Sequence, residues 1–110
     1  MIIPNAQRAV VEIEKLVEYA LNPDHPTGRH KARVFKAALG LTAEDSEMIR
    51  NRLLEVVQTH DAEKSEASPF GERYVIDFEV TTTKGSAVVR SAWIVRSDED
   101  FPRLTSCYVL

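Results

Sequence analysis

Residues 72–96, ERYVIDFEVTTTKGSAVVRSAWIVR, contain the pattern that decides the fold. In the first part, Tyr74, Ile76 and Phe78 alternate with mostly polar neighbours, which is the period of a strand with one buried face. Residues 82–86, TTKGS, then reverse the chain, and residues 87–96 return as a second strand. The stretch therefore predicts an antiparallel hairpin.

The hairpin extends into a larger sheet. Its second strand is apolar on parts of both faces, which favours a central position. After an acidic turn, residues 103–109 form a third strand, in which Leu104 and Tyr108 face one way. Arg103, Thr105 and Cys107 then face the other way. We expect an antiparallel meander of three or four strands.

Helical periodicity precedes the sheet. Apolar residues recur at three- and four-residue steps over residues 5–21 and again over residues 29–39. Gly40 is a helix stop, and the spacing of Thr42 and Asp45 is that of a capping box opening a third helix. The side chains expected to be buried on the second and third helices are Ala32, Phe35, Leu39, Met48, Ile49, Leu53, Val56 and Val57.

The predicted fold class is therefore α+β, a single domain over residues 1–110. About three N-terminal helices pack on one face of a C-terminal antiparallel sheet, the face that carries Tyr74, Ile76 and Phe78. The third helix is expected to end near Thr59, and residues 61–69, DAEKSEASP, are expected to be irregular.

Composition excludes several classes. The 110 residues include 44% hydrophobic and 28% charged residues, as in a soluble globular domain. The chain shows neither a transmembrane run nor a signal peptide, so the expected location is the cytoplasm. The single cysteine, Cys107, has no disulfide partner and reads as a small strand residue. The net charge of −3 argues weakly against binding nucleic acid by bulk charge alone.

Residues 22–34, NPDHPTGRHKARV, are the most chemically dense segment. Two prolines stiffen the turn, and the helix that follows has a basic first turn at the positive end of its dipole. The main-chain N–H groups, with Gly28, Arg29, His30 and Lys31, are placed to bind a phosphate or carboxylate. The alternative is a rigid turn whose cations pair with nearby acids, and in which His25 bonds only to its own backbone.

The sheet face opposite the helices supplies further candidates. There Arg90 or Arg103 would hold a scissile phosphate, Thr105 would donate a hydrogen bond, and His25 or His30 would exchange the proton. The residues considered for phosphate binding are Gly28, Arg29, Lys31, Arg73 and Arg103. In the alternative, Asp77 and Glu79 simply pair with Arg90 and Arg73 across the hairpin. No spacing typical of a metal site is present, so no metal or other cofactor is expected.

The motif Asn-Pro-x-His-Pro-x-Gly-x-x-Lys-Ala-x-x-Phe at residues 22–35 carries a resemblance. Together with Gly-x-Arg-Tyr at residues 71–74 and Pro-Arg-Leu at residues 102–104, it resembles a small uncharacterised bacterial family of about this length. The resemblance covers nearly the whole chain. Members of that family are sometimes encoded beside a small partner, in the manner of a toxin and its antitoxin.

More remotely, helices followed by a Gly-x-Arg-Tyr hairpin and a tryptophan strand resemble a ribonuclease superfamily. This superfamily groups barnase, EndoU, the tRNA-cleaving colicins and RelE-like toxins. His30, Lys31, Ala32 and Phe35 are similar to the Lys-His-Ala-x-x-Phe-Gly region of colicin D-type tRNases, with lysine and histidine in reversed order. Because of that reversal, His25 is as strong a candidate as His30.

The leading hypothesis is a metal-independent endoribonuclease-like toxin domain, with RNA as substrate and a small antitoxin or immunity protein as partner. His25 or His30 would be the acid or base, Lys31 and Arg90 the phosphate clamp, and Thr105 an auxiliary donor. The alternative is a non-enzymatic interaction module, such as an antitoxin, immunity or assembly subunit. The acidic net charge fits this alternative better.

Overall fold

The computed structural model describes all 110 residues. Helix α1 is Ile13–Lys15, continued by a π-helical turn over Leu16–Ala20, and it is followed by α2, Arg29–Leu39, and α3, Ser46–Thr59. The strands are β1, Glu63–Lys64; β2, Gly71–Thr81; β3, Ser86–Arg96; and β4, Pro102–Val109. They form one antiparallel sheet in the order β1-β2-β3-β4. The predicted α+β class is confirmed.

The core lies between the helices and one face of the sheet. Tyr74, Ile76 and Phe78 are buried on that face, as the alternation predicts, and Trp93 is buried beside them. The fully buried Ser91 on this face donates from its hydroxyl to the Ile76 carbonyl at 2.9 Å and accepts from the Trp93 indole at 2.9 Å. The polar group is therefore fully paired inside an apolar layer.

Helices α2 and α3 follow the sequence closely. Gly40 ends α2 with a φ of 69°, a backbone angle that favours glycine. Thr42 and Asp45 form the capping box: the Thr42 N–H donates to the Asp45 carboxylate at 2.9 Å. The predicted burial is wrong only for Met48, which is 51% exposed.

The single helix predicted over residues 5–21 is wrong in its first half. Ala6–Arg8 form a short 3-10 turn, and the chain is then extended until α1 begins at Ile13. The Val10 N–H donates to the Pro102 carbonyl at 2.9 Å, and its carbonyl accepts from the Leu104 N–H at 3.0 Å. A β-branched residue beside an open strand edge gains these two bonds, and the tertiary contact overrides the helical period.

Two features of the sheet differ from the expectation. Within the segment predicted to be irregular, Glu63 and Lys64 form β1 and pair with Val75 and Tyr74. Trp93 of β3 pairs with Leu104 of β4, but the preceding residue of β3, Ala92, pairs with Ser106. Thr105 therefore has no partner and is the extra residue of a β-bulge in β4.

The bulge changes the facing of the rest of β4. Cys107 turns into the core, and Tyr108 lies opposite Arg90 on the outer face. The predicted faces of these two residues are therefore wrong, because strict alternation fails at one inserted residue. None of the helices has the length and apolar character needed to cross a membrane.

Candidate functional site

A cleft of about 500 Å³ opens beside the bulged part of β4. It is lined by Glu12, Glu14, Lys15, Glu18, Tyr19, His25, Lys31, Thr105 and Ser106. Three of the predicted site residues, His25, Lys31 and Thr105, therefore share one cavity, although they lie in a turn, a helix and a strand. Sequence reasoning placed the three glutamates on the polar faces of the first helix, and it made no prediction for Tyr19.

Thr105 owes its position to the bulge. As the unpaired extra residue of β4, it leaves the regular ladder, and its side chain is exposed. Its hydroxyl donates to the Ala92 carbonyl at 3.1 Å, which holds the side chain over the sheet. β-bulges often aim a side chain at a functional site in this way.

His25 organises the Pro-rich turn. Its Nδ1 accepts hydrogen bonds from the Thr27 N–H at 3.0 Å and from the Gly28 N–H at 2.9 Å. Because Nδ1 is an acceptor, the neutral imidazole carries its hydrogen on Nε2, a tautomer assigned from the hydrogen-bond partners. His25 in this state offers a donor to a ligand and cannot accept a proton at Nε2.

The His25 side chain therefore closes the turn that leads into α2. Besides Thr27 and Gly28, the Arg29 N–H is also used, donating to the His25 carbonyl at 3.0 Å. The sequence predicts an anion at this helix start; the Arg29 N–H and the two N–H groups just before the helix already have partners. The side chains of Arg29 and His30 are exposed, form no ion pair and do not line the cleft.

Lys31 is one of the two lysines that line the cleft. Its ammonium lies 5.3 Å from the centroid of the Tyr19 ring and 5.0 Å from that of Tyr108. It forms no ion pair within 4.0 Å, although three glutamates line the same cavity. Aromatic faces hold an ammonium in place without neutralising it. Lys31 is thus fixed and still free to bind an anion.

The two arginines proposed to clamp a phosphate are already engaged. Arg90 forms a two-bond pair with Asp77, 2.8 Å at each contact, which raises the pKa of Arg90 and lowers that of Asp77. Arg103 binds Glu99 at 2.9 Å and Glu12 at 3.0 Å. The hydrogen bonds and charge of Arg103 lower the pKa of Glu99.

A second depression of about 540 Å³ lies on the outer face of the sheet, and Thr105 belongs to both cavities. Its other lining residues include Arg73, Arg96 and Phe70, and Phe70 is 72% exposed. Arg73 forms no ion pair, whereas Arg96 only approaches Glu99 at 4.0 Å. Sequence reasoning named Arg73 but missed Phe70, whose signal is an aromatic residue inside a Pro-Phe-Gly turn.

No group of three or more histidine, cysteine or acidic side chains is arranged to hold a metal ion. The available chemistry is that of an ammonium, an imidazole N–H, carboxylates and hydroxyls.

Together, the fold and the cleft define a small α+β domain with a polar site at one edge of its sheet. Residues 2–110 match a family described as a domain of unknown function, DUF6883, and the chain belongs to that family. No curated protein matches the sequence.

Among solved structures, the chain is similar to one chain of a contact-dependent growth inhibition toxin–immunity protein complex from Klebsiella pneumoniae 342. The TM-score is 0.59 at 12% sequence identity, and the match covers 94% of this chain and 95% of that chain. At this identity the similarity shows a shared fold.

Proposed function

We propose that this protein is a toxin domain that cleaves RNA without a metal, with the cleft at β4 as its active site. The observation that carries the proposal is the unpaired ammonium of Lys31 in one cavity with His25, Thr105 and free carboxylates. A phosphate bound there would contact a fixed cation and the Nε2–H donor of His25.

The roles follow from the hydrogen bonds. Attack of a 2′-hydroxyl on the adjacent phosphate needs a base, and His25 in the observed tautomer has no free acceptor nitrogen. Glu12 is bound to Arg103, which leaves Glu14 and Glu18 as carboxylates without ion pairs. We assign the base to one of these two glutamates, which takes the proton of the 2′-hydroxyl as the O2′–P bond forms and the P–O5′ bond breaks. Water protonates the leaving 5′-oxygen, and Lys31 and His25 bind the phosphate.

The outer face offers a path for the rest of an RNA strand. From Thr105, the depression continues to Arg73, Arg96 and the exposed ring of Phe70. Single-stranded nucleic acid is commonly held by aromatic stacking combined with cations along the backbone. A similar fold occurs in a chain of a toxin–immunity protein complex, which supports a role in such a pair.

One observation favours a second candidate, an immunity or antitoxin subunit that binds a partner protein. The cleft lining carries three glutamates against two lysines, and the whole chain has a net charge of −3. A carboxylate-rich cleft repels a polyanion and attracts basic side chains. In this case the cleft would hold a lysine or arginine of the partner.

The two candidates separate in one experiment. The protein is expressed alone in bacteria while growth is followed, and purified protein is incubated with total RNA in EDTA. The toxin proposal expects growth arrest and RNA cleavage, both lost in Lys31→Met and kept in Lys36→Met, an exposed lysine of the same helix. Intact RNA at high protein concentration, together with normal growth, would refute it.

A further inference from the structure

We infer that the free edge of β2 and helix α3 form a groove that binds an extended segment of a partner protein as an additional strand. This groove lies at the opposite edge of the sheet from the β4 cleft. The inference therefore stands independently of the proposed ribonuclease activity.

One edge of β2 is mostly unpaired. Its neighbour β1 covers only Tyr74 and Val75, so the edge from Asp77 to Thr81 has no partner strand. The Thr82 N–H donates to the Gly85 carbonyl, so Thr82 directs its main-chain groups toward the other strand of the hairpin. In the antiparallel register, every second residue of β2 counted back from Thr82 does the same. The main-chain groups of Phe78 and Val80 consequently point to β3, and those of Asp77, Glu79 and Thr81 point outward.

The outward N–H and C=O groups of these three residues form no hydrogen bond with the main chain of any loop or turn. An open strand edge of this kind is a template for pairing with another chain. An added strand would continue the line of β1 along the same edge.

A groove runs beside this edge. A cavity of about 660 Å³ lies between the end of β2 and the first half of α3; eight of its fifteen lining residues are hydrophobic, and Asp45 and Arg52 are among the others. Met48 stands at its border and is 51% exposed. The apolar lining residues are Phe35, Leu39, Leu41, Met48, Ile49, Phe78, Val80 and Val89. Side chains of an added strand that point toward the helices would enter this cavity.

Two hydrogen bonds fix one end of the groove. The Thr82 hydroxyl donates to the Leu39 carbonyl at 2.7 Å, and the Lys84 ammonium donates to the Lys36 carbonyl at 3.1 Å. Both bonds tie the β2–β3 turn to the end of α2. A preformed groove keeps the ordering cost of binding on the peptide side.

Charge identifies the occupant. Glu79 is exposed, forms no ion pair, and lies opposite the uncharged Val88 on β3. On an added strand, the residue opposite Glu79 would point to the same outer face, where a lysine or arginine forms a cross-strand pair. The two neighbours of that residue would point into the apolar cavity. The occupant is therefore an extended segment with an apolar–basic–apolar pattern.

The test uses a blocked peptide of about five residues in which valine or isoleucine alternates with lysine, the length that a strand-addition groove accommodates. Binding is measured by fluorescence anisotropy, and amide hydrogen exchange is measured by NMR. We expect the amides of Glu79 and Thr81 to exchange at least about tenfold more slowly with bound peptide. The amides of Phe78 and Val80, which already bond to β3, should change little.

Three variants sharpen the test, each checked for native folding by circular dichroism. Glu79→Pro removes an outward N–H without breaking a bond to β3, and it should abolish binding. Met48→Glu should weaken binding at least about tenfold, whereas Val34→Glu, also at an exposed apolar helix position, should not. Glu79→Lys should reverse the preference, favouring a peptide with glutamate in place of lysine.

Failure to bind at millimolar peptide, or saturation without protection of the Glu79 and Thr81 amides, would overturn the inference. Protection that appears without peptide and grows with protein concentration would also overturn it, because a second copy of the chain would then be the occupant.

Discussion

The ammonium of Lys31 lies 5.0 Å from the centroid of the Tyr108 ring, joining the first turn of α2 to the edge strand of the sheet. The Thr105 bulge determines which face of the sheet carries Tyr108, and it therefore places the Tyr108 ring beside Lys31. A second ring, Tyr19, holds the same ammonium from α1. Helix, strand and cleft thus converge on one unpaired cation.

Lys31→Met should separate activity from stability. Methionine keeps the length of the side chain and removes the charge, so the cost is the loss of two contacts worth about 0.5–1 kcal/mol each. We expect the free energy of unfolding, measured in urea, to fall by no more than about 2 kcal/mol. RNA cleavage should fall at least about a hundredfold, because electrostatic stabilisation is lost. Undiminished cleavage would exclude Lys31 from the site.

Substitutions of His25 should separate its two roles. His25→Ala leaves the Thr27 and Gly28 N–H groups without their acceptor and should cost about 1–2 kcal/mol of stability. Asparagine accepts bonds from the N–H groups of the next residues, so His25→Asn should recover much of that stability. Because asparagine lacks the Nε2–H donor of histidine, RNA cleavage by His25→Asn should stay low. Recovered cleavage in His25→Asn would mean that His25 only shapes the turn.

The limits of prediction from this sequence lie at particular residues. Gly40, Thr42 and Asp45 are local signals, and they located the end of α2 and the start of α3 because capping chemistry depends on neighbours in sequence. Val10 carried a helical period but bonded to β4, which no local pattern reveals. The Thr105 bulge was equally invisible.

The lining of the cleft was partly predictable for the same reason. The sequence singles out His25 and Lys31 from a dense local motif and Thr105 from the face of a strand, and all three line the cleft. The sequence also offers the capture of Arg90 by Asp77 as an alternative, and these two residues do pair across the hairpin. The other lining residues, Tyr19 and the free carboxylates, come from α1 and the π-helical turn that continues it, and their facing depends on contacts distant in sequence.

Phe70→Ala should weaken RNA binding without affecting the fold. The ring is 72% exposed, so its removal should change the free energy of unfolding by less than about 0.5 kcal/mol. If bases stack on it, affinity for single-stranded RNA should fall by about 1–3 kcal/mol, measured with a catalytically inactive Lys31→Met background. Val88→Ala, another exposed apolar residue of the sheet, is the matched control. Equal affinity in both variants would remove Phe70 from the RNA path.

The Asp77–Arg90 pair predicts a pH dependence of stability. Arg90 lowers the pKa of Asp77, so the folded state favours the ionised carboxylate and the stabilisation is present above the unfolded pKa, near 4. It is lost as the pH falls through the lowered pKa. Because both side chains are 38% exposed, water screens the pair and we expect the stabilisation to be small. The stability difference between wild type and Asp77→Asn should shrink from pH 6 to pH 3, and a constant difference would contradict it.

Cys107 should report the opening of the core beside the cleft. Burial raises the pKa of its thiol to about 12, although the charge of Lys31 lowers it in part. At pH 8 only about one thiol in ten thousand is then ionised, and the reagent has no access to a fully buried sulfur. Labelling by a disulfide reagent should therefore be slow in the folded protein and should accelerate with urea in step with unfolding. The rate of labelling of Lys31→Met should depend on urea concentration in the same way. Fast labelling that does not depend on urea would mean that β4 opens locally, which would leave Thr105 and Tyr108 without a fixed position in the cleft.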